Sequence, residues 1–279
     1  MAVPVNPDLA VVLAIPLGLV IGLAVGLLGG GGSIIAVPVL VYGFGQDVIA
    51  ATTGSLVVVG LTAVAGSMGH HRAGRVRWAE GLVFGLLGAG GAYLGTRGST
   101  AVPQAVLLSA FAVLLVVVAV LMTRRRRAQA RAERRSQDDR LSGEVVTADG
   151  ARRSGRRRVL VVVTATGVGL LTGFFGVGGG FAVVPALVLA LGMEMTTAVG
   201  TSLVVIAVNT AVALASRVTQ PVDLDPVFLA VFGGAAVVGS LLGVRAAGRV
   251  SPARLSLAFT VLLLVIAVFT GVRSVSELL

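Results

Sequence analysis

The sequence predicts an all-α integral membrane protein made of two homologous repeats of transmembrane helices, each with a glycine-broken or re-entrant first segment. Hydrophobic residues make up 56% of the chain and charged residues only 12%, and the mean hydropathy is +1.00. A soluble domain carries about 25% charged residues. Apolar stretches close to the ~20 residues that span a bilayer recur along the whole sequence, which excludes a soluble domain with a single anchor.

Two series of apolar stretches follow one another along the chain. Each opens with a span that ends in glycines, continues with a short apolar piece and has three further spans. The first series is Leu9–Leu28, Ser33–Phe44, Val48–Gly69, Trp78–Gly95 and Pro103–Met122. The second is Val159–Gly176, Phe181–Leu191, Thr196–Ser216, Pro226–Val244 and Arg254–Val272. We therefore predict transmembrane repeats over residues 1–122 and 159–279.

The segment between the two series, Thr123–Arg158, is strongly basic. It has 13 arginines and 5 acidic residues, and it carries most of the net charge of +10. A basic loop between membrane helices marks the cytoplasmic side, and a segment this polar lacks the apolar surface needed to pack. We predict a disordered cytoplasmic linker over residues 123–158. We expect the protein to contact the lipid bilayer and not to bind nucleic acid.

An internal repeat underlies the two series. A shift of 147 residues places Gly26–Val57 on Gly173–Val204 without a gap, and the identical pairs include Pro38 with Pro185. A composition rich in glycine and valine does not readily produce such a register. Internal duplication is typical of secondary transporters.

Two orientations of the repeats remain open. If each glycine-broken segment turns back, the repeats are inverted, and the connections His70–Arg77 and Arg245–Arg254 lie inside together with the basic linker. If each broken segment crosses once, the repeats are parallel and Arg245–Arg254 lies outside. The excess of arginine on cytoplasmic loops favours inversion, which also predicts that both termini lie outside.

The glycine runs are the strongest candidate for a binding site. Glycine lowers helix stability by about 1 kcal/mol per residue relative to alanine, and non-helical backbone at membrane depth persists only against protein or a wet cavity. The short helices after the runs present N-termini, which attract anions. The alternative, close helix packing, accounts better for glycines spaced four apart, such as Gly18, Gly22 and Gly26. We assign an anion site to Gly29, Gly30, Gly31, Gly32, Ser33, Gly178, Gly179 and Gly180.

Hydroxyl residues begin the span after each short helix and supply neutral donors for an anion. They could equally bond to carbonyls of their own helix, and the sequence does not decide between the two. Asn209 is a polar residue within a span and is predicted to line the same cavity. The candidates are Thr53, Ser55, Thr201, Ser202 and Asn209.

Other polar residues receive structural interpretations. His70 and His71 are predicted to be loop histidines, because adjacent residues do not easily chelate one metal, and Asp47 and Glu194 are predicted to cap helices. The chain has no cysteine, and its predicted spans have no central acid. We therefore expect no metal, no cofactor and no enzyme activity, and we expect anion efflux driven by the membrane potential.

At these motifs the sequence resembles the sulfite exporter family of membrane transporters, the TauE/SafE-like group. The resemblance rests on a glycine stretch followed by Val-Pro, here Gly26–Pro38 and Gly173–Pro185, and on Ala198–Leu203. The first copy departs from the latter motif at Ala51–Leu56, where the Thr-Gly order is swapped. The resemblance implies export or uptake of sulfite, sulfonates or other small organic anions.

Taken with the residues, the resemblance predicts efflux of sulfite or an organosulfur anion across the inner (plasma) membrane by a multi-pass transporter. A channel-like anion pore, a permease for another small organic anion and a scaffold that only packs helices remain as alternatives. An oligomer is possible, and the sequence does not fix its size.

Overall fold

A computed structural model describes residues 7–99, 104–141, 154–175, 180–217 and 224–278. These residues form helices and no strand, which confirms the all-α prediction. A 3₁₀ turn, Gly29–Gly32, joins the first two helices, and a π-helical turn, Val39–Gly43, extends the second beyond Pro38. The α-helices are α1 Pro7–Leu28, α2 Ser33–Pro38, α3 Val48–Arg72, α4 Trp78–Ser99, α5 Gln104–Leu141, α6 Ser154–Phe175, α7 Gly180–Leu189, α8 Met195–Ala215, α9 Pro226–Ala247 and α10 Pro252–Leu278.

The distribution of apolar and polar side chains is that of a membrane protein. On α10, Val261, Val265 and Val268 are exposed, whereas Thr62 and Ser240 are fully buried. The Ser240 hydroxyl donates to the Thr62 carbonyl at 3.0 Å, so this buried polar group is paired, as a bilayer requires. Five described stretches are long and apolar enough to cross a bilayer: Val11–Val41, Ile49–Arg72, Met195–Ala215, Pro226–Ala247 and Pro252–Thr270.

Helices of one half pack against helices of the other. α1 packs on α9, and α4 packs on α6. Gly22 lies against the Ala236 backbone in the first pair, and Gly169 lies against the Gly88 backbone in the second. A shift of 147 residues carries Gly22 to Gly169, and a shift of 148, with one residue inserted in the second half, carries Gly88 to Ala236, so the two contacts are equivalent. They confirm close packing as the role of these spaced glycines.

The middle helices of the two halves run in opposite directions. Gly60 of α3 lies against Thr210 of α8, whereas Gly66, further along α3, lies against the earlier residue Leu203. α3 and α8 are counterparts in the predicted repeat. Antiparallel counterparts are what an inverted repeat requires, and these contacts support the duplication, which stays a prediction.

A matched turn ends each short helical segment. Gly45 and Gly192, one repeat length apart, have φ of +65° and +70°, a left-handed conformation that favours glycine. The amide after each glycine donates to the carbonyl of a leucine in the preceding helix, at 3.1 Å in both halves. The same local sequence therefore closes the same turn twice.

The arginine-rich segment is more helical than predicted. α5 continues through Thr123 to Leu141, and α6 begins at Ser154, so a loop starting at Thr123 is wrong. Arginine, alanine, glutamine and glutamate dominate residues 124–135 and are strong helix formers even without an apolar face. Residues 142–153 lie outside the described residues, and the domain boundaries stay predictions.

The basic connections gather at one end of the helix bundle. The Arg75 guanidinium lies beside Gly248, 3.3 Å from the position that a Cβ on this glycine would occupy. Arg125 and Arg126, at the end of the apolar part of α5, line a cavity with Pro252 at the start of α10. Both connections that the inverted arrangement places inside therefore share one end with the α5 arginines, and the assignment of this end to the cytoplasm stays a prediction from its charge.

Candidate functional site

The first broken segment is re-entrant. Gly29 has φ +68°, and the 3₁₀ turn that follows is entirely buried. A Cβ on Gly32 would overlap the backbone of Ala24 and Val25, so the chain doubles back beside the end of α1. The expectation of uncoiled backbone is corrected here, because a 3₁₀ turn pairs backbone groups that would otherwise be buried without partners.

The glycine segments of the two halves touch. A Cβ on Gly180, the first residue of α7, would lie 2.7 Å from the Cα and carbonyl oxygen of Gly30 and 2.8 Å from the Ser33 hydroxyl. Both glycines are buried. A side chain at either position would force the two segments apart. The contact unites part of the predicted site, whereas Gly178 and Gly179 lie outside the described residues.

α8 forms one wall of this contact. The Ser202 hydroxyl and the Val199 carbonyl oxygen lie beside Gly29. The Ser202 hydroxyl donates to the Val199 carbonyl at 2.7 Å, and the Ser33 hydroxyl donates to the Gly30 carbonyl at 2.7 Å. In this conformation both hydroxyls satisfy nearby carbonyls of their own segment, which is the alternative that the sequence left open.

The hydroxyls of α3 lie at the opposite end from the basic connections. The Thr53 hydroxyl donates to the Ile49 carbonyl, and the Ser55 hydroxyl donates to the Thr52 carbonyl, each at 2.8 Å. The Arg217 guanidinium donates to the hydroxyls of Thr52 and Thr53 at 2.8 and 2.9 Å. Thr53 therefore belongs to a polar cluster with an arginine that sequence reasoning did not place at the site.

Thr201 and Asn209 point to different neighbours. Thr201 is fully buried, and its hydroxyl oxygen accepts the amide N–H of Arg77 at 3.1 Å, so it fixes the connection between α3 and α4. Asn209 lies beside Gly88 of α4, about 10 Å along α8 from Ser202 at 1.5 Å per residue. Its Oδ1 is buried without a hydrogen-bond partner in the described part of the chain.

His70 is a residue of this region that sequence reasoning missed. α3 continues to Arg72, so the loop assignment is wrong, and the side chain of His70 is fully buried. Its Nε2 lies 3.0 Å from the carbonyl oxygen of Gly26 in the last turn of α1. Its Nδ1 is buried with no partner among the described residues. The available signal was the repeat register, since a 147-residue shift pairs His70 with Arg217.

Two cavities lie at opposite ends of the bundle. One, of about 350 Å³, is lined by Asp47 and Asp225 at the starts of α3 and α9. The other, of about 280 Å³, is lined by Arg125, Arg126 and Glu194. The Asp47 carboxylate caps α3 by accepting from the Ile49 amide at 2.9 Å, as predicted, whereas Glu194 makes no side-chain cap. The carboxylate of Glu194 instead lines the basic cavity.

The family model for the sulfite exporter TauE/SafE matches residues 14–270 of the chain. The protein belongs to the sulfite exporter TauE/SafE family. This TauE/SafE chain is 31% identical, over 259 residues, to a probable membrane transporter protein of Xylella fastidiosa strain 9a5c, covering 90% of the chain and 91% of that relative.

A second relative, a probable membrane transporter protein of X. fastidiosa strain Temecula1 / ATCC 700964, is 32% identical over 184 residues. That match covers 64% of the TauE/SafE chain and 63% of the relative. No solved structure matches the chain significantly. The family and the apolar helices together establish a multi-pass membrane transporter, consistent with the inner (plasma) membrane.

Proposed function

We propose that the protein exports sulfite or a related organosulfur anion, and that the anion passes between the two glycine segments. The observation that carries this proposal is the buried backbone contact between Gly30 and Gly180. This contact joins the two halves between cavities at opposite ends of the bundle. It closes the path in this conformation, and separation of the segments opens it.

Glycine suits this barrier for two reasons. Without side chains, the backbones close against each other, and no apolar group screens the amides when the segments part. α7 begins at Gly180, so its positive dipole end points toward the space that separation creates. A small anion is stabilised there by N–H groups and needs no buried arginine at the contact itself.

The membrane potential supplies the driving force in this proposal. An inside-negative potential favours outward movement of each negative charge by about 2.3 kcal/mol per 100 mV. The acidic residues whose side chains the structure describes, Asp47, Glu80, Glu194 and Asp225, lie at helix ends. None of these four occupies the position of an intramembrane proton carrier.

Two measurements on the purified protein test the proposal. A binding screen of sulfite, thiosulfate, sulfoacetate, taurine and small carboxylates should give saturable binding of sulfite or a sulfur oxyanion. Flux of the bound anion should then be measured in proteoliposomes at clamped potential and should saturate with concentration. Preference for a carboxylate would reassign the substrate, and flux that never saturates would indicate a channel-like pore.

A further inference from the structure

We propose that His70 is an additional residue of the anion site, on its cytoplasmic side, and that it takes up a proton at Nδ1 together with the anion. The proposal rests on the anion-export function above. His70 is fully buried, lies within a stretch able to cross the bilayer and has one ring nitrogen without a partner in the part of the chain that the structure describes. Ionisable residues inside membrane spans are rare and typically functional.

The contact with α1 fixes the proton arrangement of the ring. The Gly26 carbonyl oxygen can only accept, so Nε2, 3.0 Å away, carries hydrogen and donates. In the neutral ring Nδ1 is then a bare acceptor, and in the imidazolium it is a donor. A buried polar atom without a partner is destabilising, and an anion bound to the protonated ring supplies the missing partner.

One turn of α8 connects His70 to the glycine contact. Gly200 approaches the Cβ of His70, and the neighbouring residues Val199 and Ser202 lie beside Gly29. The Cβ of His70 and Gly29 of the 3₁₀ turn therefore lie against the same turn of α8, Val199–Ser202. Through its bond to Gly26, His70 also holds the last turn of α1 just before the chain doubles back.

The surrounding charges favour an anion. Arg75 is the charged side chain that acts electrostatically on His70; its positive charge opposes an unaccompanied imidazolium, so protonation requires the bound anion, which both cations attract. The Arg75 backbone amide donates to the His70 carbonyl at 3.0 Å. Arg77 is paired with Glu80 at 3.3 Å. On the described part of α1 with placed side chains, residues 11–28, no residue is charged. The other charged groups on the elements around this end of α3 are Arg72, Glu194, Arg245 and Arg249.

The proposed step balances without any further reactant. A proton from the cytoplasmic solution adds to Nδ1 as the anion arrives, and the imidazolium donates a hydrogen bond to the anion. When the anion moves outward past the glycine contact, the buried ring loses its counterion and returns the proton to the cytoplasm. The anion alone then crosses the membrane, which agrees with export driven by the potential.

The test exploits the histidine content of the chain, which has only 2 histidines. His71→Gln leaves His70 as the sole histidine and serves as the matched control, since His71 is on the exposed side, where its Nδ1 accepts from Trp78 Nε1. In this variant labelled with ¹⁵N-histidine, saturating thiosulfate at about pH 7 should shift the imidazole signals from the neutral Nε2–H tautomer to imidazolium. Signals that stay neutral at saturation overturn the proposal.

His70→Gln gives the functional comparison. Glutamine keeps an N–H donor for the Gly26 carbonyl and removes the titrating nitrogen. Thiosulfate stays ionised between about pH 5 and 8, so tighter binding at lower pH reports a group on the protein. In wild type and His71→Gln, the affinity for thiosulfate should rise by up to tenfold for each unit by which the pH is lowered, the limit for uptake of one proton. His70→Gln should lose this dependence.

The two proposals fail in distinguishable ways. Absence of anion binding at every pH contradicts the transport function itself. Binding whose pH dependence is equal in wild type and His70→Gln retains the transport function and removes His70 from the site. If His70→Gln does not fold, the ¹⁵N measurement on His71→Gln still decides the assignment.

Discussion

A single methyl group should distinguish two adjacent glycines of the 3₁₀ turn. In Gly30→Ala the new Cβ would fall within the van der Waals radii of the Gly180 carbonyl group. Backbone atoms on both sides leave no flexible group to yield. In Gly31→Ala the Cβ would meet the side-chain tips of Leu262 at 3.0 Å and Phe259 at 3.1 Å, which can move by the few tenths of an ångström required.

The expected magnitudes follow from these contacts. Overpacking against rigid neighbours costs about 1–3 kcal/mol. This cost lowers the equilibrium constant for closing the two glycine segments by about 5- to 150-fold. Gly30→Ala should therefore weaken the closed state and reduce saturable anion flux by about the same factor. Gly31→Ala should lose less flux than Gly30→Ala, because its new methyl group meets side chains and not the backbone of the other half.

Proteoliposome flux of the identified anion, normalised to inserted protein, measures both variants under one potential. Detergent-extracted protein should be monodisperse in each case, which separates a transport defect from failed insertion. Equal flux for Gly30→Ala and wild type would refute the barrier assigned to the Gly30–Gly180 contact. Equal loss in both variants would indicate that any methyl group in the turn disrupts the fold, and the specific contact would then explain nothing.

Three further outcomes follow from the same structure. Reporter tags at the two termini should both lie outside the cell, and a cytoplasmic signal from both would contradict the inverted arrangement. The steady-state gradient of a monovalent substrate should change about 50-fold per 100 mV, whereas an unchanged gradient would require a coupled ion. Gly22→Ala, whose Cβ would overlap the Ala236 backbone, should lower the free energy of unfolding by about 1–3 kcal/mol and with it the thermal unfolding midpoint. Gly90→Ala, inside α4 with nothing within 4 Å of the new Cβ, should not lower it.

Much of the fold was predictable because membrane spans and turns depend on local sequence. Apolar length located the spans; the short apolar pieces were predicted from Ser33 and Phe181, and the structure begins α2 at Ser33 and α7 at Gly180. Arginine placement predicted which connections share one end, as the proximity of Arg75 to Gly248 bears out. These predictions require only length, hydropathy and charge.

The candidate site was less predictable because it depends on which helices meet. The identity of Gly30 as the residue in contact with Gly180 follows from the crossing of two distant segments, and four consecutive glycines give no local hint. His70 was misassigned because the apolar pattern fades at Gly69, although α3 continues for three residues and the first of them, His70, is buried against α1 and α8. Tertiary burial extended the helix where hydropathy suggested a loop.

The glycines of this protein divide into roles that sequence spacing alone separates only in part. Gly22 and Gly169 allow two helices to approach within backbone contact, and a static bundle needs this as much as a transporter does. Gly29 supplies a left-handed turn that reverses the chain inside the membrane. Gly30 is not among the glycines with positive φ, and it meets the Gly180 backbone at the start of a helix of the other half, not along the length of two long helices. Spaced glycines along two packed helices suit any static bundle, whereas a bare-backbone contact at the positive end of α7 suits a barrier that closes and parts around an anion, and this difference favours transport as the physical account of Gly30.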